Sequence, residues 1–338
     1  MQAANLVEIR DLSIQFPMKR GVVQAVQNVS LDIPRGKITA LVGESGSGKS
    51  TLASALLRMV SSPGVIAGGS IKFDGTELLK LKKRELREYR WSQTAMVFQA
   101  AQNALNPVVR IGEQFIETYV AHKKERKEKI LDKVKHLLDY VRLDPNRVLN
   151  AYPHELSGGM KQRVMIAFSL LLDPKLIILD EPTTALDVIT QEYIFNILMQ
   201  IHKDLGITML LLSHDIAIVA KAADQVGVMY AGNLVEVGET CDMFAAPKHP
   251  YTSGLIKAAP SLLTEAAEPI AGSPPNMLNT PAGCKFHPRC KHAMEMCGRE
   301  QPPLLSLDNQ TLVACHLHSA GHGTEGGAYD IAAKVRAY

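Results

Sequence analysis

The run GESGSGKS, Gly43 to Ser50, constrains this chain more than any other feature. It fits G-x-x-x-x-G-K-[ST] at every fixed position. Glycines let successive backbone N–H groups turn inward onto phosphate oxygens, and the helix that follows adds the positive end of its dipole. A strand-like KITALVG leads into the run, and KSTLASALLRMV continues it with helical spacing. A strand passing through such a loop into a helix belongs to an α/β architecture. Gly43, Ser45, Gly46, Ser47, Gly48 and Thr51 are expected to line the cradle. Lys49 supplies a point charge for the β- and γ-phosphates, and the Ser50 hydroxyl is a ligand for Mg²⁺. The expected ligand is ATP or GTP.

The rest of the pattern agrees with that architecture. Residues 7–16 alternate as a half-buried strand does, and GSIKFDGTEL reads as a hairpin. From about 78 to 141 the pattern turns charged and helical, which predicts a helical subdomain inserted into the α/β core. From 176 the alternation returns as strand LIILD, helix TQEYIFNILMQIHKDL, strand ITMLLLS and helix IAIVAKAA, then the short β segments QVGVMY and LVEVG. Strands alternating with helices predict a mostly parallel sheet covered on both faces. After about 247 proline and glycine become frequent, as expected of a linker leading to a small accessory module. The last residues, SAGHGTEGGAYDIAAKVRAY, read as a poorly ordered tail.

At 338 residues and 46% hydrophobic content the chain buries a large core, in one large or two medium domains. A net charge of only +3 gives no electrostatic case for a nucleic-acid partner. The opening residues lack the basic start and apolar core of a signal peptide, and the longest apolar runs are strand-length. A cytosolic chain is expected, with any membrane role supplied by a partner. The basic stretches 82–90 and 123–135 carry interspersed acids and read as solvated helix faces.

A second glycine turn follows in LSGGMKQR. Ser157 stands where a helix N-cap belongs, Gly158 and Gly159 leave the helix start open, and VMIAFSLLL continues the helix. Unsatisfied N–H donors and a partial positive charge collect there. Alone, this is an ordinary capped helix. Its order among other motifs changes the reading: Gln99 in MVFQ precedes it, LIILDEPTTALD with Asp180, Glu181 and Asp187 follows it, and LLSHD with His214 comes later. The series resembles the ATP-binding cassette of ABC transporters across residues 1 to about 245.

That resemblance implies an α/β P-loop cassette with a RecA-like core sheet, an N-terminal antiparallel β part and a helical subdomain at about 78–172. A small cysteine-rich module at 246–320 and a flexible tail at 321–338 complete the expected organisation. It implies that Gln99 senses the γ-phosphate and Mg²⁺ beside the membrane partner. Asp180 is then the Walker B carboxylate for Mg²⁺, Glu181 polarises the attacking water, Asp187 lies in the D-loop and His214 contacts the γ-phosphate. Phe16 falls where the family's adenine-stacking aromatic falls. In the family two cassettes face each other head to tail, so Ser157, Gly158, Gly159 and Asp187 serve the nucleotide held by the opposite Walker A loop. Phosphoryl transfer needs positioning and charge neutralisation, which a metal carboxylate and a water-orienting group supply.

Five cysteines occur in the chain. Cys241 stands alone and reads as a small buried residue. Cys284, Cys290, Cys297 and Cys315 cluster, and in a reducing cytosol such a group binds metal more often than it forms disulfides. Their spacing has neither the C-x-x-C pairs of zinc ribbons nor the compact ferredoxin run, so zinc and an iron–sulfur cluster stay open on spacing alone. His287 and His316 sit beside cysteines and are candidate ligands, though they read first as surface groups or as supports behind the thiolates. GSPPN…PAGCKFHPRC, FQAAQNALNPVVRIGEQ and PHELSGGMKQRVMIA are similar to ATP-binding subunits of dipeptide/oligopeptide importers. That similarity implies a [4Fe–4S] cluster on the four cysteines, with zinc as the alternative.

The implied function is the energy-coupling ATPase of a membrane importer, peripheral on the cytoplasmic face. Its implied partners are a second ABC ATPase subunit (the same chain or a related one), two transmembrane permease subunits and an extracytoplasmic substrate-binding protein. Peptide is the expected cargo, with oligosaccharide or nickel as alternatives carried by the same family. A soluble ABC ATPase acting on DNA needs long heptads between Lys49 and Ser157, for which the interval has no room, and translation factors carry two cassettes. A P-loop kinase or GTPase has no need of the LSGGM turn.

Overall fold

The computed structural model describes residues 4–99, 104–184, 186–259, 269–307 and 311–319. The chain divides into two compact units, one from the segments up to Leu79 and from Leu211 onward, the other from Lys80–Leu210.

The first unit opens with β1 (Asn5–Met18) and β2 (Gly21–Pro34), paired antiparallel with Ile9 opposite Leu31. Alternation buries Val7, Ile9, Leu12 and Ile14, and one of the register shifts between the strands falls between Ile9 and Leu12, where Asp11 takes a positive φ of 47°. The five residues of β3 (Ile38–Val42) are all buried and feed the glycine loop, from which α1 (Lys49–Leu56) departs. β4 (Val65–Phe73) pairs with β1 and returns through Asp74-Gly75, φ 48° and 78°, into β5 (Thr76–Glu77). Both turn residues at positive φ make the two-residue hairpin that twisted strands favour.

The second unit begins with α2 (Lys83–Ser92), broken near its end where Trp91 takes φ 66°. β6 (Thr94–Val97) follows and runs parallel to β7 (Leu176–Asp180), Met96 opposite Ile178. β6 lies inside the stretch expected to be wholly helical. A four-residue apolar run has too few positions for periodicity to separate strand from helix. α3 (Ile111–Val120), α4 (Lys127–Tyr140), α5 (Pro145–Asn150) and α6 (Gly158–Leu170) precede β7. Phe115 of α3 stacks on Phe168 of α6 with ring centroids 3.6 Å apart. In α4, Ile130, Val134 and Leu138 recur at four-residue spacing as a buried stripe, and the lysines and acids between them face solvent as the sequence implied. α7 (Val188–Leu205) ends at Gly206 in the left-handed conformation, φ 59°.

The strand β8 (Thr208–Ser213) carries the chain back to the first unit, where α8 (Ile216–Ala222) starts on an Asp215 side-chain cap. β9 (Gln225–Tyr230) pairs parallel with β3 and antiparallel with β10 (Asn233–Glu239). After α9 (Thr240–Ala245) and α10 (Pro250–Lys257) come the short strands β11 (Leu305–Ser306) and β12 (Leu312–Val313). β12 pairs with β10, Glu236 opposite Val313, so this segment extends the sheet of the first unit. Residues on both sides of the expected boundary at about 245 belong to the first unit. Proline and glycine mark irregular backbone but not independence, and two-residue strands leave no periodic trace. The expected tail at 321–338 lies outside the described residues.

Glu236 fixes this extension. Its buried carboxylate accepts the N–H groups of Lys248 at 2.7 Å and His249 at 2.8 Å, and burial pushes its carboxyl up. His249, fully buried, is pushed down to about 3 by desolvation and then by His318, while its Nδ1 accepts the Tyr251 N–H at the start of α10. Cys241, in contrast to the burial expected of it, is exposed with Asp242 at the start of α9, while Thr240, Met243 and Phe244 take the buried positions.

Candidate functional site

In the first unit the loop from Gly43 to Gly48 is shaped by three glycines at positive φ: Gly43 at 151°, Gly46 at 77° and Gly48 at 104°. Space dictates two of them as well, since a Cβ on Gly43 would fall 2.2 Å from the Met229 carbonyl oxygen and one on Gly48 would fall 2.3 Å from that of Ala25. The chain is held against β2 and β9 closely enough that no side chain fits between. Ser45, Gly46 and Ser50 face solvent, Thr51 is half-buried, and Ser47 is buried. Gly48 offers no side-chain cap to α1, so the helix start presents backbone N–H groups. Lys49 is buried and folds back, its Nζ donating to the Gly43 carbonyl at 2.7 Å and the Glu44 carbonyl at 3.1 Å.

The same unit holds Phe16 and His214. Phe16 is half-buried near the end of β1, and its ring packs on the backbone of Gly64, where a Cβ would meet Cε1 at 2.6 Å. His214 is exposed directly after β8, next to the Asp215 cap that accepts N–H groups from Ala217 and Ile218. Sequence reasoning missed a group of residues behind the loop. Tyr251 accepts the Glu44 N–H at 2.9 Å, and Arg289 forks onto the Glu44 carboxylate at 2.7 and 3.0 Å. No local pattern joins positions so far apart in the chain.

In the second unit, buried β7 delivers Asp180 to its carboxyl end, and Glu181 leaves the strand with φ 47°. A non-glycine residue at positive φ is uncommon and places a side chain where an ordinary strand end does not. Gln99 Nε2 donates to Glu181 Oε2 at 3.0 Å, and Thr184 Oγ1 donates to the same oxygen at 3.0 Å. The second partner, the Thr184 hydroxyl, was missed, although Thr184 lies three residues beyond Glu181 in the quoted DEPTT run.

The glycine turn and the Asp187 region meet in one cleft of this unit. Ser157 caps α6 by accepting the Met160 N–H at 3.3 Å, and Asp187 caps α7 by accepting Thr190 N at 2.9 Å and Thr190 Oγ1 at 2.8 Å. Those hydrogen bonds hold the Asp187 carboxyl below its ordinary value. A Cβ on Gly159 would lie 2.7 Å from Thr190 Cγ2, so the two helix starts abut at that glycine. The cleft, about 460 Å³, is lined by Ser157, Gly158, Gly159, Arg163, Asp187 and Tyr193 among others. The Arg163 guanidinium lies 5.3 Å over the Tyr193 ring and donates to the Arg142 carbonyl at 2.7 Å. Two capped helix N-termini thus open on one solvent-accessible hollow, an arrangement suited to an anion.

The profile of the family described as "ABC transporter" matches residues 26–184, and that described as "Oligopeptide/dipeptide transporter, C-terminal region" matches residues 235–297. The dipeptide transport ATP-binding protein DppD of Caldanaerobacter subterraneus is 45% identical over 319 residues, 94% of this chain and 98% of the relative. The chain belongs to the ABC transporter ATP-binding proteins. The oligopeptide transport ATP-binding protein OppD of Salmonella typhimurium is 44% identical, over 93% of this chain and 94% of its own length. Among solved structures, a bacterial ABC transporter cassette described as dimeric, MJ0796, aligns at a TM-score of 0.62 with 27% identity, over 69% of this chain and 98% of that one. Another dimeric structure of MJ0796, a post-hydrolysis state bound to ADP and Pi, aligns at the same TM-score. No helix among the described residues of this ABC protein is long and apolar enough to cross a membrane.

The four clustered cysteines lie in the first unit. Cys284 and Cys290 are half-buried, Cys297 and Cys315 are buried, and all are unbridged. Burial, then the neighbouring thiols, push Cys284 up, and the same causes push Cys315 up to about 12. Backbone N–H groups point at sulfur: His292 N lies 3.4 Å from Cys290 Sγ, and Met294 N lies 3.4 Å from Cys297 Sγ. His287 Nδ1 and His316 Nε2 face the carbonyls of Cys284 and Glu300, at 2.8 and 2.9 Å, so both rings are engaged by backbone. Yet among the described residues no three His, Cys, Asp or Glu side chains are arranged as a metal site. The soft donor set suits a thiolate-bound metal, but the side chains do not close around one. Neither [4Fe–4S] nor zinc, as expected from the sequence, is borne out by that arrangement.

Proposed function

We propose that this chain is the ATP-hydrolysing, energy-coupling subunit of a membrane importer of dipeptides or oligopeptides. The supporting observation is that the glycine turn at Ser157–Gly159 and Asp187 line one open cleft. Such a cleft is half of a binding site, and its complement is the Gly43–Ser50 loop of a second cassette. The relatives at 44–45% identity carry dipeptide or oligopeptide transport in their names, which supports the cargo class.

On this reading Gly43 to Thr51 hold the polyphosphate, with Lys49 released from the loop carbonyls onto it. Asp180, Ser50 and Gln99 are the groups for Mg²⁺, whose chemistry is neutralisation of charge on the transferring phosphoryl group. Glu181 holds and orients the attacking water, and Gln99 and Thr184 fix its carboxylate through Oε2. His214 and Phe16 serve the γ-phosphate and the adenine. The partners are a second ABC ATPase subunit, for which a related chain rather than a copy is the reading, two permease subunits and an extracytoplasmic binding protein, with the cassettes on the cytoplasmic face. We further read Cys284, Cys290, Cys297 and Cys315 as a ligand set for a metal centre that assembles on binding, with [4Fe–4S] ahead of zinc. Four free soft thiols backed by N–H donors support that reading. Anaerobic purification with iron, sulfide and zinc analysis tests it: a protein devoid of both metals refutes it.

Reconstitution of the chain with its permeases in vesicles tests the function. ATP-driven uptake of labelled peptide, abolished by Lys49→Ala, is expected. Uptake of nickel or oligosaccharide in place of peptide overturns the cargo, and ATP turnover indifferent to Lys49→Ala overturns the site.

A further inference from the structure

Glu44 is the second residue of the phosphate loop and adds a carboxylate to the segment read here as holding a polyphosphate. Left alone, that negative charge repels the ligand. Arg289 meets it with a bidentate fork, Nη1 to Oε2 at 2.7 Å and Nη2 to Oε1 at 3.0 Å, and the Arg289 side chain is 6% exposed against 26% for Glu44. The guanidinium is fixed on its other edges too. Its Nε donates to the Ala271 carbonyl at 2.9 Å, Nη1 also donates to Tyr230 Oη at 3.2 Å, and the plane lies 5.9 Å from the Phe286 ring centroid. Tyr230, Tyr251 and Phe286 form an aromatic cluster behind the loop, with centroids 4.6–5.3 Å apart. Arg289 and Phe286 both sit on the short span between Cys284 and Cys290. Pro274, Pro275 and Met277 face Glu44–Ser47 across a small cavity.

We propose that Arg289 is a positioning residue of the phosphate loop, neutralising and fixing Glu44 so that nucleotide affinity depends on the C-terminal segment that carries the arginine. A charge-assisted fork from a nearly buried arginine is geometrically specific, and removing one partner leaves the other charge uncompensated. The two residues are therefore unequal. Loss of Arg289 leaves a bare carboxylate facing a polyanion, whereas loss of the Glu44 charge leaves a cation, which a polyphosphate tolerates. A pair that only holds the fold together has no such asymmetry.

The proposal rests on Gly43–Ser50 being the nucleotide loop, and the experiment separates the two. ATP affinity is measured by calorimetry on the complete chain without Mg²⁺, alongside melting temperature. Arg289→Gln is expected to weaken ATP binding about tenfold, Glu44→Gln to weaken it less than Arg289→Gln does, and the double variant to bind more tightly than Arg289→Gln alone. Arg289→Lys, which keeps the charge without the fork, is expected to fall between, and it carries the test if Arg289→Gln does not fold. Arg299→Gln, at an exposed arginine on the same segment, leaves affinity unchanged. Equal losses for Arg289→Gln and Glu44→Gln with no recovery in the double variant overturn the proposal. So does unchanged affinity in both Arg289 variants, or a loss in Arg299→Gln as large as that in Arg289→Gln. If Lys49→Ala abolishes ATP binding while the Arg289 variants bind normally, this proposal alone fails; if Lys49→Ala also binds normally, the nucleotide site itself is misassigned.

Discussion

Gln99 and Glu181, 82 positions apart, meet through a side-chain hydrogen bond of 3.0 Å from Nε2 to Oε2. The contact ties Gln99, two residues beyond β6, to Glu181, the residue that follows β7, and these strands run side by side. Parallel pairing brings the two carboxyl ends together, which is where α/β sheets bind their ligands. Glu181→Gln keeps the shape of the contact but removes the carboxylate. ATP turnover is expected to fall by roughly 10²- to 10⁴-fold with nucleotide still bound, as for loss of a general base. Single-turnover phosphate release and filter binding on the same preparation check it, and turnover at the parent rate removes Glu181 from the reaction.

The cleft at Ser157 makes a different demand. Ser157→Ala deletes the cap that accepts the Met160 N–H, at a cost of about 1 kcal/mol to α6. ATP-dependent pairing of cassettes is expected to weaken while ATP binding to the Gly43–Ser50 loop of the lone chain is unaffected. Sedimentation with and without ATP reports the first, and calorimetry the second. Parallel loss of both would place Ser157 in the chain's own nucleotide site.

Gly43→Ala tests the packing of the loop. A methyl group 2.2 Å from the Met229 carbonyl cannot be accommodated without moving β9 or the loop, and φ of 151° already disfavours it. The melting temperature is expected to drop by several degrees, on the scale of 1–3 kcal/mol for strained positions. A thermal melt at the parent value shows that the loop shifts freely.

His249 predicts a pH dependence. Its folded value of about 3 lies below the ordinary 6.5, so the unfolded chain binds the extra proton first. The stability it contributes is complete above about 6.5 and is lost as pH falls towards 3, with a slope approaching 1.4 kcal/mol per pH unit. Burial also pushes the neighbouring Glu236 carboxyl up, so the comparison is with His249→Asn, which keeps a cap for α10 without the proton. The variant is expected to lose less stability between pH 6.5 and 4. Parallel curves for the two proteins would show that His249 is not held neutral.

Cys241 is exposed while Cys297 and Cys315 are buried, so Cys241 is expected to react first with an aqueous thiol reagent on the folded chain. Mass mapping of the modified peptides reads the order. Equal labelling of Cys315 would mean that the C-terminal segment opens readily.

The elements that sequence makes legible are those long enough to show a period or tied to fixed motif positions. β1, the glycine loop, α1, α6, β7 and α7 stand where the pattern puts them. β6 escaped because four apolar residues have no period, and β11 and β12 because two residues have no pattern at all. Within the site, motif order singled out Ser157 and Asp187 separately, but their meeting in one cleft comes from the packing of the helices they begin. Arg289 on Glu44 did not, because an ion pair between residues 245 positions apart is fixed by tertiary packing and leaves no local mark. The four cysteines were found by composition, but how closely their side chains converge is a property of loops that spacing does not encode.

β12 lies along β10, and that pairing reaches beyond the cysteines beside it. Trimmed after α9, the protein would bare a row of unanswered amide and carbonyl groups down the rim of its sheet, an invitation for copies to zip together. Shorter cassettes are consequently poor templates for shortening this one: what looks like an appendage is a hem that stops the fabric from fraying.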